Sequence, residues 1–257
     1  MSKAIQVFIG IDISSGARPI TFVALDAEQK IIAIGAGDAP DALAYAAGQT
    51  GNTLIAVNAA AHPNQGRMNR PEVRQALEPV PAKGKFTHLR QVEYELCQAG
   101  FAIPETPALV EKSLPWVRRG FALVEKLEDL HYQPYSDAPN PEAPSRQWIE
   151  TNTDAGFWSL LGVLPLPAGT LEGRIQRQLA LLDDGLDIPD AMDFFEEITR
   201  YKILKSQLPL KNIFPQAELS ALAAAHTAWL LDRRPQQIWK CGEPEEGYLY
   251  LPCPPKR

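Results

Sequence analysis

Apolar residues run from Ile5 to Ile13, interrupted only by Gln6, Gly10 and Asp12. Such a run, without strict alternation, reads as a strand buried on both faces, and such a strand needs covering layers above and below its sheet. Its last acid, Asp12, is carried out of the strand into a turn. A carboxylate at the end of a buried strand is costly unless a metal, a hydrogen-bond donor or a phosphate partner meets it.

The residues that follow set the sheet around this strand. Residues 19–25 and 31–35 are two further strand-like runs, and the polar residues 26–30 between them suit a hairpin loop. Asp38-Ala-Pro-Asp41 carries helix-start chemistry ahead of an alanine-rich run to Gly48. Residues 53–58 form another buried-strand run ending on Asn58. A helix between two strands implies a crossover, so this strand is expected parallel to the first. Asp12 and Asn58 would then emerge together at the carboxyl edge, where open α/β sheets bind ligands.

Residues 62–90 stand apart in composition. Arg67, Arg70, Arg74, Lys83, Lys85 and Arg90 are opposed only by Glu72 and Glu78, and prolines at 63, 71, 79 and 81 make the stretch loop-rich. A long loop of this kind is a candidate basic rim that steers a phosphate-bearing ligand to the strand ends. The alternative is a solvated loop whose arginines pair with nearby acids. Apart from Phe86, no aromatic is interleaved with these cations to stack bases, which weighs against single-strand nucleic-acid binding.

Beyond the loop, residues 89–100 read as a helix stopped by Gly100, and Arg90 and Glu93 are spaced to meet on its surface. Residues 107–130 read as a helix kinked at Pro115, and 133–145 as an exposed loop. A short strand, 147–151, carries Glu150 near its end. Helices are expected over 171–184, over 191–204 with Phe194, Ile198 and Tyr201 inward, and over 217–231. In the last of these, Ser220, Ala224 and Thr227 form a small-residue face suited to close approach to the sheet. Residues 246–252 read as an edge strand, its terminal prolines limiting further pairing.

The 257 residues suffice for a sizeable core, and no internal repeat is evident, so a single domain over 1–257 is expected. Apolar content of 45% and charged content of 22% are ordinary for a globular protein. A net charge of −6 disfavours non-specific nucleic-acid binding by the molecule as a whole, without excluding one basic face. No apolar run is long enough for a membrane span, and the opening residues lead into a strand rather than a signal peptide, so no membrane partner is expected. Cys97, Cys241 and Cys253 form no Cys-x-x-Cys pair and suit a reducing cytoplasm. The four histidines show no metal-ligand spacing.

A three-strand meander, a helix, a parallel strand and a mixed α/β remainder are the outline of a ribonuclease H-like fold, and also of the actin-like half-domain. The residues carry a closer likeness. Gly10-Ile-Asp12, Leu54-Ile-Ala-Val-Asn58-Ala, Arg90-Gln-Val-Glu93-Tyr-Glu-Leu, Trp148-Ile-Glu150 and Leu171-Glu-Gly-Arg-Ile-Gln-Arg-Gln178 occur in this order. They are followed by Phe194-Phe-Glu-Glu-Ile-Thr-Arg200, the segment from Glu218 to Trp229, and Glu246-Gly247. Through these pieces the chain resembles the domain-of-unknown-function family 429, a group of predicted ribonuclease H-like nucleases. The resemblance implies an α/β fold with a ribonuclease H-like mixed sheet, an antiparallel three-strand meander plus parallel strands, flanked by helices.

It also implies a cluster of metal-ligating positions at Asp12, Asn58, Glu150 and Ser220, with Glu93 a further motif acid. Asp12, Glu150 and Glu93 would be the catalytic acids, Mg²⁺ or Mn²⁺ the cofactor, and nucleic acid or another phosphate-bearing molecule the partner. Arg67, Arg70, Lys85 and Arg90 would supply the phosphate contacts. Paired divalent ions about 3.5–4 Å apart can stabilise both the attacking and the leaving oxygen of a phosphodiester displacement. Two positions depart from the family pattern, since Asn58 and Ser220 stand where aspartate is typical. Neither brings negative charge. Two classes of function therefore stand side by side: a metal-dependent nuclease, and a binding or scaffold protein that kept the fold after losing two acids. A third is phosphate binding by backbone N–H groups of Asp12-Ile-Ser-Ser-Gly16, in the actin-like manner.

Overall fold

The computed structural model describes residues 4–13, 19–136 and 146–253. The strands are β1 (Val7–Asp12), β2 (Ile20–Leu25), β3 (Ile31–Gly37), β4 (Thr53–Asn58), β5 (Gln133–Pro134), β6 (Arg146–Thr151), β7 (Ile238–Glu243) and β8 (Gly247–Pro252). The helices are α1 (Ala39–Ala47), α2 (Pro71–Gln75), α3 (Gln91–Ala99), α4 (Pro115–Asp129), α5 (Thr153–Leu161), α6 (Leu171–Asp183), α7 (Asp193–Glu197), α8 (Arg200–Leu204) and α9 (Gln216–Arg233).

All eight strands join one mixed sheet in the order β3-β2-β1-β4-β6-β8-β7, with β5 pairing beside β6. The meander β1–β2–β3 is antiparallel, β1, β4, β6 and β8 run parallel, and β7 returns antiparallel to β8. The sheet is covered on both faces, as the unbroken apolar run of β1 requires. On one face Phe8, Val23, Leu54 and Ile149 pack with Leu219, Leu222 and Ala225 of α9. On the other, Ile9, Ile11, Ile55 and Val57 pack with Ala42 and Ala46 of α1 and Leu123, Val124 and Leu127 of α4. Among the described residues, no helix is long and apolar enough to cross a membrane.

α9 lies against β1 more closely than side chains normally allow. A Cβ on Gly10 would sit 1.9 Å from the Ala221 carbonyl oxygen and 2.3 Å from the Ala225 nitrogen. The near approach is thus made by Ala221 and Ala225, one turn apart, rather than by the expected face of Ser220, Ala224 and Thr227.

Three other expectations are corrected. Pro115 begins α4 instead of kinking a longer helix, because the first helical position needs no N–H donor. Residues 191–204 divide into α7 and α8, since Ile198 and Thr199 are extended. Thr199 Oγ1 then accepts the Lys202 N–H at 3.2 Å and caps the second piece, and Tyr201 is exposed rather than inward. β8 lies inside the sheet between β6 and β7, and the edge belongs to β7, a strand not expected from the sequence. Its residues carry no clean alternation, and only Cys241 of the six is fully buried.

Gly10→Ala should force α9 off β1 and destabilise the protein by roughly 1–3 kcal/mol or more, as overpacked cores do. Urea unfolding followed by circular dichroism measures this, and an unchanged midpoint would contradict the packing described.

Candidate functional site

At the carboxyl edge of the parallel strands, register decides which side chains meet. β1 and β4 pair Asp12 with Asn58, and β4 and β6 pair Val57 with Glu150. Side chains alternate along a strand, so Asp12, two residues after Gly10, and Asn58 emerge on the α9 face. Glu150, level with Val57, leaves on the opposite face. All three nevertheless line a cleft of about 260 Å³ beyond the strand ends, together with Ser220 of α9, Trp116 of α4 and Thr153 of α5.

The amide of Asn58 has a fixed orientation. Its Oδ1 accepts the Thr153 backbone N–H at 2.9 Å, which leaves Nδ2 to donate to Asp12 Oδ1 at 2.7 Å. A backbone donor cannot pair with an NH₂ group, so the carbonyl end must face Thr153. The side chain that would have supplied a second negative charge beside Asp12 instead supplies a donor to it.

Glu150 is met by a cation from within the protein. Arg90 Nη1 donates to its Oε1 at 2.8 Å and Nη2 to its Oε2 at 3.1 Å, while the Ala61 N–H reaches Oε2 at 2.8 Å. Both partners of this forked pair are almost completely buried, at 1% and 3% exposure. Burial pulls the guanidinium pKa down, but the charge and hydrogen bonds of Glu150 outweigh it and leave Arg90 above the ordinary value. Arg90 was expected on the basic rim, paired on the surface with Glu93. It lies inside, and only its backbone N–H meets Glu93.

Glu93 is a framework acid in this arrangement. Its Oε2 accepts the Arg90 N–H at 3.0 Å, closing the first turn of α3, and its Oε1 accepts the Thr106 N–H at 2.7 Å. Burial pushes its carboxyl above the usual range, and the hydrogen bonds from Thr106 and Arg90 only partly offset that.

Three of the six cations of 62–90, Arg67, Arg74 and Arg90, are taken up by the protein itself. Arg67 forms an ion pair with Glu243 and lies 3.3 Å from Glu245. Arg74 donates to the carbonyls of Met68, Pro81, Ala82 and Lys85. Arg70, Lys83 and Lys85 are exposed. Arg67, Arg70 and Lys85 are absent from the lining of the strand-end cleft.

Sequence reasoning missed Glu246 as a structural residue. It is buried, its two oxygens accept the N–H groups of Gln65 and Gln91 at 3.1 and 3.0 Å, and its carbonyl accepts Arg90 Nη2 at 3.2 Å. The one available signal was the Glu246-Gly247 pair, whose glycine takes a φ of +94°. Ser14, Ser15 and Gly16 of the suggested phosphate loop lie outside the described residues.

A paired Mg²⁺ or Mn²⁺ centre needs several anionic oxygens turned to one point. Here Asp12 is met by an amide N–H, Glu150 by a guanidinium, and Ser220 is neutral. Among the described residues no three of His, Cys, Asp and Glu are grouped to hold a metal ion. The donor set does not fit that centre. Comparison with protein-family models, curated proteins and solved structures finds no match to the chain.

Arg90→Met should destabilise the protein by about 3–5 kcal/mol, because it leaves Glu150 buried and unpaired. Adding Glu150→Leu should recover much of the loss, and urea melts of the four proteins in a double-mutant cycle read the coupling. Glu93 adds a pH dependence. A carboxyl whose folded pKa is raised gives its full stability below the unfolded value of 4.5 and loses it as pH rises through the folded value. The stability of the wild type relative to Glu93→Gln should therefore fall as pH increases from 4 upwards, measured by melts across a pH series.

Proposed function

We propose that this chain is a ribonuclease H-like protein whose strand-end cleft serves binding or scaffolding rather than two-metal phosphodiester hydrolysis. The order β3-β2-β1-β4-β6, with an antiparallel meander and parallel strands beyond it, supports the ribonuclease H-like reading. So does the convergence on one cleft of Asp12, Asn58, Glu150 and Ser220, the positions that the likeness to the domain-of-unknown-function family 429 singles out. The observation that carries the functional half is the Asn58 amide, held by Thr153 so that its N–H faces Asp12. A donor at that point takes the place of a cation: it satisfies Asp12 by hydrogen bonding and adds no negative charge for a second ion. Arg90 does the same for Glu150 as a full positive charge.

The cleft then offers a ligand polar groups of both kinds on a rigid frame, without an ion-activated water. Neutral polar ligands suit it better than phosphates, since its one lining arginine is already paired with Glu150.

The test is incubation with single- and double-stranded DNA and RNA in Mg²⁺ and in Mn²⁺. Intact substrates throughout, together with a melting temperature that neither ion raises, are expected. Cleavage that depends on either ion and disappears in Asp12→Asn would establish the nuclease instead. Asn58→Asp combined with Ser220→Asp should restore charge at the cleft, seen as a Mg²⁺-dependent rise in melting temperature. An ion at a hundred times its dissociation constant adds about 2.7 kcal/mol.

A further inference from the structure

The segment from α7 to Lys211 has an unusual balance of packing. α7 buries Phe194, which joins Ile175 of α6, Ala191 and Ile213 in a small cluster apart from the sheet. α8 contributes no buried residue at all. Each helix has five residues, too few to be stable in water without a packed face. Yet their outward apolar side chains stay largely exposed, Phe195 even though its ring stands edge-on to Phe194 at 5.3 Å between centroids. Phe195 is 55% exposed, Tyr201 66% and Leu204 72%, with Ile203 and Leu208 also exposed. Large apolar groups concentrated in this way on one surface mark an interaction site.

Charge chooses the occupant. α7 carries Asp193, Glu196 and Glu197, whereas α8 and the residue after it carry Arg200, Lys202 and Lys205. Only Lys202 and Glu197 approach one another within the segment, at 3.7 Å. A nucleic acid or an anionic lipid surface would be drawn to α8 but repelled by α7 beside it. A second copy of this chain, turned by a two-fold axis, sets the acids of each α7 against the cations of the other α8. That matches the pattern twice, with the apolar side chains between, and such self-complementarity is what a two-fold interface demands.

We infer that the α7–α8 surface is the contact through which two copies of this chain associate, apolar residues at its centre and opposite charges at its ends. The association uses no residue of the strand-end cleft and stands independently of what that cleft binds.

Sedimentation velocity of the full chain over a wide concentration range tests this. A dimer that dissociates on dilution is expected, weakened at least tenfold by Leu204→Glu with an unchanged circular dichroism spectrum. Glu196→Lys with Glu197→Lys should weaken self-association, as should Lys202→Glu with Lys205→Glu. An equimolar mixture of these two variants should restore a dimer. A wild type that stays monomeric throughout, or a dimer indifferent to Leu204→Glu, overturns the inference. So does a monomer that instead sediments with phosphatidylglycerol vesicles, which would make the occupant a lipid surface.

Discussion

The contact on which this structure depends is the one between Gly10 and the backbone of α9. With no side chain at that point, the helix settles directly onto β1, and Ala221 and Ala225 complete the fit. Two consequences follow from one missing methyl group. The longest helix of the protein is drawn across β1, β2 and β4, which supplies the second covering layer that an apolar strand needs. The start of the same helix is also brought to the carboxyl edge, so Ser220 joins the cleft that Asp12 and Asn58 border. Sheet, core and cleft are therefore set by a single close approach.

Around the cleft the protein neutralises its own acids. Glu150 has a guanidinium, Glu93 two backbone donors, Glu246 two more, and Asp12 an amide. Burying each of these carboxylates would be prohibitive without such partners. The pairs are better understood as fixing geometry than as adding stability, because desolvation consumes most of their attraction. Arg90 illustrates the point: its backbone, its guanidinium and the carboxylates around it tie α3, β6 and the β7–β8 turn to one position.

Much of this could be read from the residues. The apolar run ending at Asp12, the helix-start residues at 38–41 and the second run ending at Asn58 were enough to place both polar residues at one sheet edge. Parallel pairing follows from a crossover, a matter of local pattern, whereas the register that sets Asp12 level with Asn58 is seen only in the folded sheet. What could not be read was the partner of each charge. Arg90 and Glu93 are three apart on a helix, and that spacing predicts a surface pair. The partner that satisfies the guanidinium lies sixty residues away. The basic composition of 62–90 likewise says nothing about Glu243, which reaches Arg67 only when β7 folds alongside. β7 itself carries too weak an alternation to announce a strand, and without it β8 looks like an edge.

The insertion of β8 between β6 and β7 bears on how the chain is made. The sheet cannot be completed until β8 has been made, and β1 waits for α9 through some two hundred residues of synthesis. At the usual 5–20 residues per second, that is roughly ten to forty seconds during which an apolar first strand has no covering helix. The meander β1–β2–β3 can form early from local contacts, leaving the face beneath Gly10 open to chaperones or to other nascent chains. The late arrival of that cover is thus built into the order of the elements.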